Sequence, residues 1–356
     1  MPKIILDCDL MKHPNSGLYH YCLNIGNHVD RYLRKIASAE TIHFYVPGSE
    51  TAAFDHGDQC IREKKSHRFV KPFLWDCDVW HAPFQSGRII PAPSRKIKIV
   101  LTIHDLNCLH EGKPRAEQQK SLAHTQQLIN RSDAIICISE FCKSDVLKHC
   151  DVNGKPVYVI HNGTHRLMEP GLSNASYAPQ RPFLFGMGYV NRKKNFHVLL
   201  PMLRNNAYEL LIAGRLDEPD YINEMRSQAS ALGVADRVHL LGPVSEEEKS
   251  WYLKHCLAYV HPSLAEGFGA PVVEAMTFGK PLFLSSYTSL PEIAGDVAFY
   301  FSTFDESHMQ QVLQEGLAVY NRNGLAGRIM EKGAAYDWEK KAIEYVEVYR
   351  TLINRG

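Results

Sequence analysis

Short, β-rich apolar runs alternate with helical segments along the whole chain, and this alternation constrains the fold more than any other feature. Strands that alternate with helices predict a parallel sheet covered by helices, with ligands bound at the carboxyl ends of the strands. Two sets of runs predict two such α/β domains. The first set lies at 4–6, 42–46, 79–81, 97–103, 134–138 and 157–160, and the second at 183–185, 209–212, 238–241, 257–260, 282–284 and 298–301.

The segment 168–182 separates the two sets of runs, because it is rich in turn formers and poor in apolar periodicity. We therefore predict an amino-terminal domain over 1–172 and a carboxyl-terminal domain over 173–337, with a ligand cleft beside the linker. The tail at 338–356 has apolar residues at helical spacing, which predicts a helix that docks on a domain surface.

Length and composition exclude several classes of protein. A chain of 356 residues with a net charge of +1 is long enough for two sizeable cores and has no basic excess that would indicate nucleic-acid binding. No apolar run is long enough to predict a signal peptide or a membrane span. Nine cysteines without a CxxC pair suit buried thiols in a reducing compartment, which predicts a cytoplasmic protein.

The clearest chemical pattern is EGFGAPVVE at 266–274, directly after a predicted buried strand. Glycines let a backbone approach a ligand closely, and the N–H groups at a helix start attract phosphate; Pro271 is predicted as the first helical residue. Carboxylates bind hydroxyl groups, so Glu266 before the turn and Glu274 in the first helical turn suit a sugar and a ribose. The pattern predicts a nucleotide-sugar site.

A second pattern, GMGYVNRKKN at 186–195, places three cations beside a glycine loop after the first strand of the second domain. Departure of a nucleoside diphosphate builds negative charge on the β-phosphate, so fixed cations there stabilise the transition state more than the ground state. We predict that this loop binds the diphosphate.

These motifs resemble the signature of retaining GT-B glycosyltransferases of family 4, which combines HPS, here at 261–263, with EGFG and a second glutamate eight residues after the first. The similarity continues through GKP at 279–281 and SLPEIAGD at 289–296. The resemblance implies two Rossmann-like, doubly wound parallel-sheet domains that face a central cleft, the first for the acceptor and the second for the donor. It also implies that the last helix packs back on the first domain.

The resemblance implies roles for residues of the second domain. Lys194 matches the family's diphosphate lysine, whereas Lys193 stands in place of its arginine; either Arg192 or Lys193 therefore supplies the second cation. Glu266 is expected to hold donor sugar hydroxyls and Glu274 the ribose. The other donor-binding residues that the match implies are Gly188, Arg215, Gly267, Phe268 and Gly269.

In the first domain, the segment at 15–21 is similar to the family's glycine loop, so Gly17 is expected to approach the donor phosphate or the acceptor; a plain turn before a helix is the alternative. His20 stands where many members have arginine and is assigned to the acceptor side. His104 and Asp105 directly follow a strand, and by resemblance His104 lies near the transferred sugar while Asp105 orients the acceptor. The predicted catalytic residues are His104, Lys194 and Glu266.

No essential metal is expected, and no other cofactor. The two Asp-x-Asp triplets at 7–9 and 76–78 suit Mg²⁺ or Mn²⁺ in principle, but such triplets are common and the basic loop already supplies positive charge. The eighteen histidines show no HExxH spacing.

The expected function is therefore transfer of a hexose, with mannose favoured, from a nucleoside diphosphate sugar to a saccharide or lipid-linked saccharide in O-antigen, capsule or lipopolysaccharide synthesis. GDP-mannose is the leading donor, and UDP and dTDP sugars stay open. The basic segment 62–68, extended by Lys71, has two interpretations: a solvated loop, which is favoured, or peripheral contact with the inner face of the plasma membrane.

Other classes of function stay open. A catalytically inactive nucleotide-sugar-binding partner of another glycosyltransferase would bind the donor without turnover. An epimerase of sugar nucleotides would release nucleoside diphosphate without an acceptor product. A dinucleotide-binding dehydrogenase is disfavoured, because no GxGxxG loop follows the first strand.

Overall fold

The computed structural model describes residues 1–13, 16–71, 74–85, 90–91, 96–164 and 175–354, except for the side chains of Arg68 and Asn323. The chain divides into two compact units, Met1–Gly163 with Asp337–Gly356 and Thr164–Tyr336. The predicted domain boundary at 172 and 173, and the first part of the predicted linker, lie outside the described residues.

The first unit is built on a parallel sheet, as the alternation of strands and helices predicts. Its strand order among the described residues is β3-β2-β1-β4-β5-β6-β7. All six predicted runs form strands, whereas β3 was missed because its sequence, CIR, has only two consecutive apolar residues between polar neighbours. The strands are β1 (Lys3–Asp7), β2 (Thr41–Val46), β3 (Cys60–Arg62), β4 (Val79–Ala82), β5 (Lys98–Ile103), β6 (Ala134–Cys137) and β7 (Val157–Val159).

Helices cover both faces of this sheet, namely α1 (Gly17–Lys35), α2 (Arg115–Arg131), α3 (Glu140–His149) and α10 (Trp338–Ile353). The hydroxyl of Ser16 caps α1 by accepting from the Tyr19 N–H, and the hydroxyl of Ser139 caps α3 by accepting from the Cys142 N–H. Helix α10 packs against α1, and its apolar face completes the core on that side of the sheet. The chain terminus is therefore part of the first unit.

The second unit has a parallel sheet of order β10-β9-β8-β11-β12-β13, and each strand coincides with a predicted run. Alternate side chains of its central strands enter two separate cores: Leu210 and Ile212 lie in one, and Leu211 and Ala213 in the other. Both faces are therefore covered, as in a doubly wound fold. The strands are β8 (Phe183–Met187), β9 (Glu209–Ala213), β10 (Val238–Gly242), β11 (Ala258–His261), β12 (Leu282–Ser285) and β13 (Phe299–Phe301).

The helices of the second unit are α4 (Pro219–Ala231), α5 (Glu246–His255), α6 (Ala270–Met276), α7 (Leu290–Ala294), α8 (Glu306–Asn323) and α9 (Leu325–Gly333). A reciprocal capping box between Ser245 and Glu248 begins α5. Helix α6 begins one residue before Pro271, so Pro271 is the second helical residue and Glu274 lies in the second turn. The prediction that Glu274 lies in the first turn was wrong because the left-handed Gly269 ends the loop early.

Candidate active site

The predicted donor residues of the second unit lie on loops that follow β8, β9 and β11, except for Glu274, which lies on α6. These strands are neighbours in the sheet, and a fourth loop, after β12, supports them. Carboxyl ends of parallel strands share one edge of a sheet, so residues far apart in sequence are brought together there.

Lys194 ends a single 3-10 turn, Arg192–Lys194, that is fixed at both ends. The side chain of Asn191 accepts from the Lys194 N–H at 3.0 Å, and Asn195 adopts a left-handed conformation with φ of 59°. The loop after β11 holds this turn through a 2.9 Å hydrogen bond from the Leu264 N–H to the Lys193 carbonyl. Contacts within the protein therefore hold the backbone of the basic loop.

Lys194 and Glu266 form an ion pair, with 2.5 Å between Nζ and Oε1 and side chains only 12% and 11% exposed. The same Glu266 oxygen lies 2.8 Å from His261 Nε2, and His261 Nδ1 lies 3.1 Å from the Tyr259 hydroxyl. An ionised carboxylate only accepts, so Nε2 of a neutral His261 carries the proton and Nδ1 accepts from Tyr259. A buried chain of four residues thus orients Glu266.

The surroundings of these four hydrogen-bonded side chains favour one protonation state for each of them. Burial opposes ionisation of Glu266, but Lys194 and His261 outweigh it and hold the pKa of the carboxyl well below its usual range. Burial, followed by the charge of Lys194, lowers the pKa of His261, and burial raises that of Tyr259 well above its usual range. Glu266 is therefore an anion at neutral pH, beside a neutral imidazole.

The loop after β12 fixes the backbone of Glu266. The Thr288 hydroxyl accepts from the Glu266 N–H at 2.9 Å, and the Ser289 hydroxyl donates to the Glu266 carbonyl at 2.9 Å. Because both backbone groups and one carboxylate oxygen are held, the second carboxylate oxygen has a defined direction.

Two facing glycines keep the edge of the sheet open beside Lys194. Gly188 has φ of 144°, and a Cβ added there would lie 2.9 Å from Lys194 Cε. Gly214 after β9 has φ of 141°, and a Cβ there would lie 2.0 Å from the Gly188 carbonyl oxygen. A side chain at either position would displace this backbone or the lysine.

The EGFG loop ends in Gly269, whose φ of 91° turns the chain into α6. Phe268 is buried and packs edge-on against Tyr336, with ring centroids 5.5 Å apart, so its ring contributes packing inside the unit. Gly267 is buried in the same loop.

Glu274 pairs with a residue that was not among the predicted site residues. Its Oε1 accepts from Lys249 Nζ at 3.1 Å, and Lys249 also lies 2.7 Å from Glu246 Oε2. Burial raises the pKa of Glu274 despite this cation. The other Glu274 oxygen is buried and has no hydrogen-bond partner among the residues that the structure describes.

The two predicted arginines are more exposed. Arg192 forms a 2.5 Å ion pair with Glu224 and lies over the Tyr221 ring, and its side chain is 61% exposed. Arg215 pairs with Asp217 at 3.1 Å and lies over the Tyr189 ring. Neither touches Glu266 or Lys194 through a described contact, whereas Lys193 contributes its backbone carbonyl to the loop.

In the first unit, His104 lies at the end of β5 with Nε2 2.8 Å from the Pro83 carbonyl. A carbonyl only accepts, so Nε2 carries the proton and Nδ1 keeps a lone pair. Burial lowers the pKa of His104 to about 4, and its ring packs edge-on against Tyr21 and Phe84. His104 is therefore a neutral imidazole that can accept a hydrogen bond.

Asp105 turns the chain after His104, since its Oδ1 accepts from the Asn107 N–H at 3.0 Å and its carbonyl accepts from Gln85 Nε2 at 2.8 Å. Gly17 is the first residue of α1 and is exposed, as is His20 one turn later. A Cβ at Gly17 would meet no described atom within 4 Å, so nothing in its surroundings requires glycine there.

Both Asp-x-Asp triplets serve local structure. Asp7 accepts from the Asp9 N–H at 3.3 Å, and Asp78 accepts from the Lys3 N–H at 2.8 Å. Within the described ranges, no group of three or more histidine, cysteine, aspartate or glutamate side chains is placed to hold a metal ion. No helix of the described chain is long and apolar enough to cross a membrane.

Sequence reasoning missed His261 as an orienting group and Lys249 as the partner of Glu274. His261 was part of the HPS motif, and its position five residues before Glu266 was the available signal. Lys249 follows the three glutamates that begin α5, and no local pattern connects it to Glu274.

Comparison with protein families gives two matches, one in each unit. The Glycosyltransferase Family 4 model matches residues 40–166, and the model for Glycosyl transferases group 1 matches residues 173–313. The second match contains the basic loop and the EGFG segment.

Among similar proteins, O-antigen chain mannosyltransferase B of Escherichia coli is 23% identical over 98% of this chain and 100% of its own length. The serotype-specific mannosyltransferase WbdA of Escherichia coli is 24% identical over 74% of this chain, which spans only 35% of WbdA. The crystal structure of Anabaena Alr3699/HepE in complex with UDP aligns with a TM-score of 0.75 at 17% identity, covering 99% of this chain and 100% of that one. Two Rossmann-like parallel-sheet units and these matches agree with the predicted GT-B class, and the chain is a glycosyltransferase with a Family 4 domain and a group 1 domain.

Proposed function

We propose that this glycosyltransferase moves a hexose, with mannose favoured, from a nucleoside diphosphate sugar to a saccharide acceptor, with retention, in cell-surface polysaccharide or lipopolysaccharide synthesis. The observation that carries the proposal is the ion pair of Lys194 and Glu266. The pair brings an ammonium group and a carboxylate together after two adjacent parallel strands, which supports binding of diphosphate and sugar hydroxyls there. The name of the Escherichia coli relative supports mannose, and the bound UDP of the Anabaena protein supports a nucleoside diphosphate.

In the proposed reaction, the bond between the anomeric carbon and the β-phosphate oxygen breaks, and the acceptor oxygen bonds to the same face of that carbon. The acceptor proton passes to the departing phosphate oxygen. Lys194, with Lys193 or Arg192, stabilises the charge that develops on the diphosphate. Glu266 holds the donor sugar through the oxygen that does not bind His261.

The other predicted site residues bind either the donor or the acceptor. Glu274 accepts from the ribose, and the backbone from Gly267 to Gly269 faces the donor with Gly188 and Arg215. In the first unit, Nδ1 of His104 accepts from a hydroxyl of the transferred sugar, and Asp105 and His20 bind the acceptor. Gly17 opens the start of α1 to the donor phosphate. No metal is required.

Nucleotide binding tests the donor site without knowledge of the acceptor. Wild type, Lys194→Ala and Glu274→Ala are titrated with GDP, UDP, dTDP, ADP and their sugars by thermal shift; a ligand at a hundred times its Kd stabilises by about 2.7 kcal/mol. We expect one nucleotide family to stabilise the wild type and both substitutions to abolish the shift. Arg204→Ala, an exposed change before β9 at the other end of the sheet, is the matched control and should keep the shift.

Turnover then separates enzyme from binding partner. Release of nucleoside diphosphate from the sugar that binds best, measured with and without EDTA, is expected to persist without divalent metal. Binding without any release would contradict catalysis and favour the inactive partner subunit, and loss of release in EDTA would contradict the metal-free mechanism.

We also propose that residues 64–71 and 74–75 of the first unit contact an anionic membrane. Phe69 and Trp75 are 89% and 76% exposed, although aromatic side chains of this size are usually buried. Three exposed lysines lie nearby. Lys64 and Lys65 precede Phe69 in sequence, and Lys96 donates to the Trp75 carbonyl. Aromatic side chains with lysines are typical of peripheral contact with anionic lipid.

Co-sedimentation with vesicles tests this contact. The wild type is expected to bind vesicles that contain phosphatidylglycerol and not pure phosphatidylcholine, and Phe69→Ser with Trp75→Ser should abolish binding. Ile36→Ser, which removes an exposed apolar side chain elsewhere in the unit, should bind as wild type does. If the Phe69→Ser and Trp75→Ser double variant binds these vesicles as well as the wild type does, the solvated-loop interpretation is supported.

A further inference from the structure

Lys249 is a nearly buried cation that joins α5 to the candidate ribose-binding residue of α6. Its ammonium lies 3.1 Å from Glu274 Oε1 and 2.7 Å from Glu246 Oε2, and Glu246 is 72% exposed. A lysine is seldom buried unless its charge is paired, and here the less exposed partner is Glu274, whose side chain is 21% exposed.

The two oxygens of Glu274 have different surroundings. Oε1 accepts from Lys249, whereas Oε2 is buried without a hydrogen-bond partner in the described part of the chain. A buried acceptor without a donor is costly, and native structures usually fill such positions with a protein group, a water or a ligand. Glu274 Oε2 therefore keeps its capacity to accept a hydrogen bond from a ligand hydroxyl.

Lys249 also decides what kind of group Glu274 presents. Burial raises the pKa of Glu274, and a protonated carboxyl would offer a donor where an acceptor is needed. The charge of Lys249 opposes this shift, and the pKa of Lys249 is itself raised by Glu274 and Glu246 despite burial. Pairing with Lys249 thus favours the ionised form of Glu274. Because Lys249 holds Oε1, the direction of Oε2 is also defined.

We propose that Lys249 is a positioning residue that holds Glu274 as a directed hydroxyl acceptor and so makes the site selective for ribonucleoside diphosphates over their deoxy forms. The proposal rests on the proposed donor site. It extends that site to a residue outside the sequence motif, and it disfavours 2′-deoxy donors such as dTDP sugars.

Calorimetric titration with GDP and UDP, and with the 2′-deoxy and 3′-deoxy form of each, tests this proposal. In the wild type, at least one deoxy form of the nucleotide that binds should bind roughly ten- to a hundredfold more weakly, the range expected for one hydrogen bond to a charged acceptor. In Lys249→Met the ribonucleotide should weaken to the level of the deoxy form, so that selectivity disappears. Lys249→Arg should restore selectivity in part.

Two further variants control for folding. Lys254→Met removes a lysine from the same helix and should leave both affinities unchanged. If Lys249→Met does not fold, Lys249→Gln keeps a polar side chain at the position and should lose the same selectivity. A purely structural role of Lys249 would lower the melting temperature and leave the ratio of ribo to deoxy affinity as in the wild type.

The outcomes separate this proposal from the proposed function. Absence of nucleotide binding by the wild type would overturn both. Binding of ribo and deoxy forms with equal affinity would overturn the ribose role of Glu274 but keep the donor site. Wild-type selectivity that persists in Lys249→Met and Lys249→Gln would overturn the role of Lys249 alone.

Discussion

At the scale of single residues, the Lys194 and Glu266 pair shows how a site differs from a stabilising contact. Removing two charges from water is costly, and their attraction repays this only with good geometry and further hydrogen bonds. Here His261 and the backbone contacts from Thr288 and Ser289 supply those bonds. The result is a preorganised pair rather than a large gain in stability.

We expect Lys194→Met to lower the free energy of unfolding by roughly 2–4 kcal/mol, because it leaves Glu266 buried without its cation. Adding Glu266→Gln should recover much of this loss while donor binding stays absent. Urea denaturation of Lys194→Met, Glu266→Gln and the double variant measures the coupling free energy between the two side chains.

The exposed pair of Arg192 and Glu224 is the matched control for this cycle. Arg192→Met should cost less than about 1 kcal/mol. Additive losses in Lys194→Met and Glu266→Gln would show that the two side chains do not depend on each other.

At the scale of elements, a buried polar network joins α10 to β4, β5 and α1. His81 lies between the hydroxyls of Tyr349 and Thr102, each 2.8 Å from a ring nitrogen, and the Tyr21 and Tyr345 hydroxyls lie 2.6 Å apart. Burial, with a smaller effect of His104, lowers the pKa of His81 to about 3. Protonation of His81 would place a charge inside this buried network, so the folded first unit favours the neutral histidine.

Acid should weaken the first unit through these histidines. Between pH 6.5 and about 4 the unfolded chain binds protons at His81 and His104 that the folded chain does not bind, so stability falls as pH falls. Each histidine contributes a slope of about 1.4 kcal/mol per pH unit in this window. His81→Gln should flatten the measured slope.

Urea unfolding at a series of pH values measures this slope. Tyr349→Phe is the control, because it removes a hydrogen-bond partner of His81 and keeps the imidazole. It should lower stability at every pH with the slope unchanged. An unchanged slope in His81→Gln would mean that other groups carry the acid sensitivity.

At the scale of the whole molecule, the first unit is discontinuous in sequence. The chain leaves it at Gly163, forms the second unit, and returns at Asp337 to add α10. This helix contributes a large part of one core of the first unit, through Trp338, Ala342, Tyr345, Val346, Tyr349 and Leu352. We therefore expect folding of the first unit to depend on this helix.

Truncation after Tyr336 should remove amide protection throughout the first unit while the second unit keeps its protection, as measured by hydrogen exchange. Truncation after Ile353 leaves α10 complete and should behave as the full chain does. Retained protection in the first unit without α10 would show that its sheet folds without this helix.

The sequence by itself determined the class of fold and the family. Strands of covered parallel sheets appear as short continuous apolar runs, so each strand in the described part of the chain was predicted except β3, which has only two consecutive apolar residues. The motif at 266–274 and the basic loop at 192–194 were recognisable because their turn-forming and charged residues lie within a few positions of each other in the sequence.

Only the tertiary structure decided which site side chains contact each other. Lys249 meets Glu274 across 25 residues, and Lys194 meets Glu266 across 72, because parallel strands deliver their loops to one edge of the sheet. The same folding buried Phe268 against Tyr336 and the neutral imidazole of His104 beside Tyr21. Burial and protonation depend on neighbours that are distant in sequence, so no local pattern could determine them.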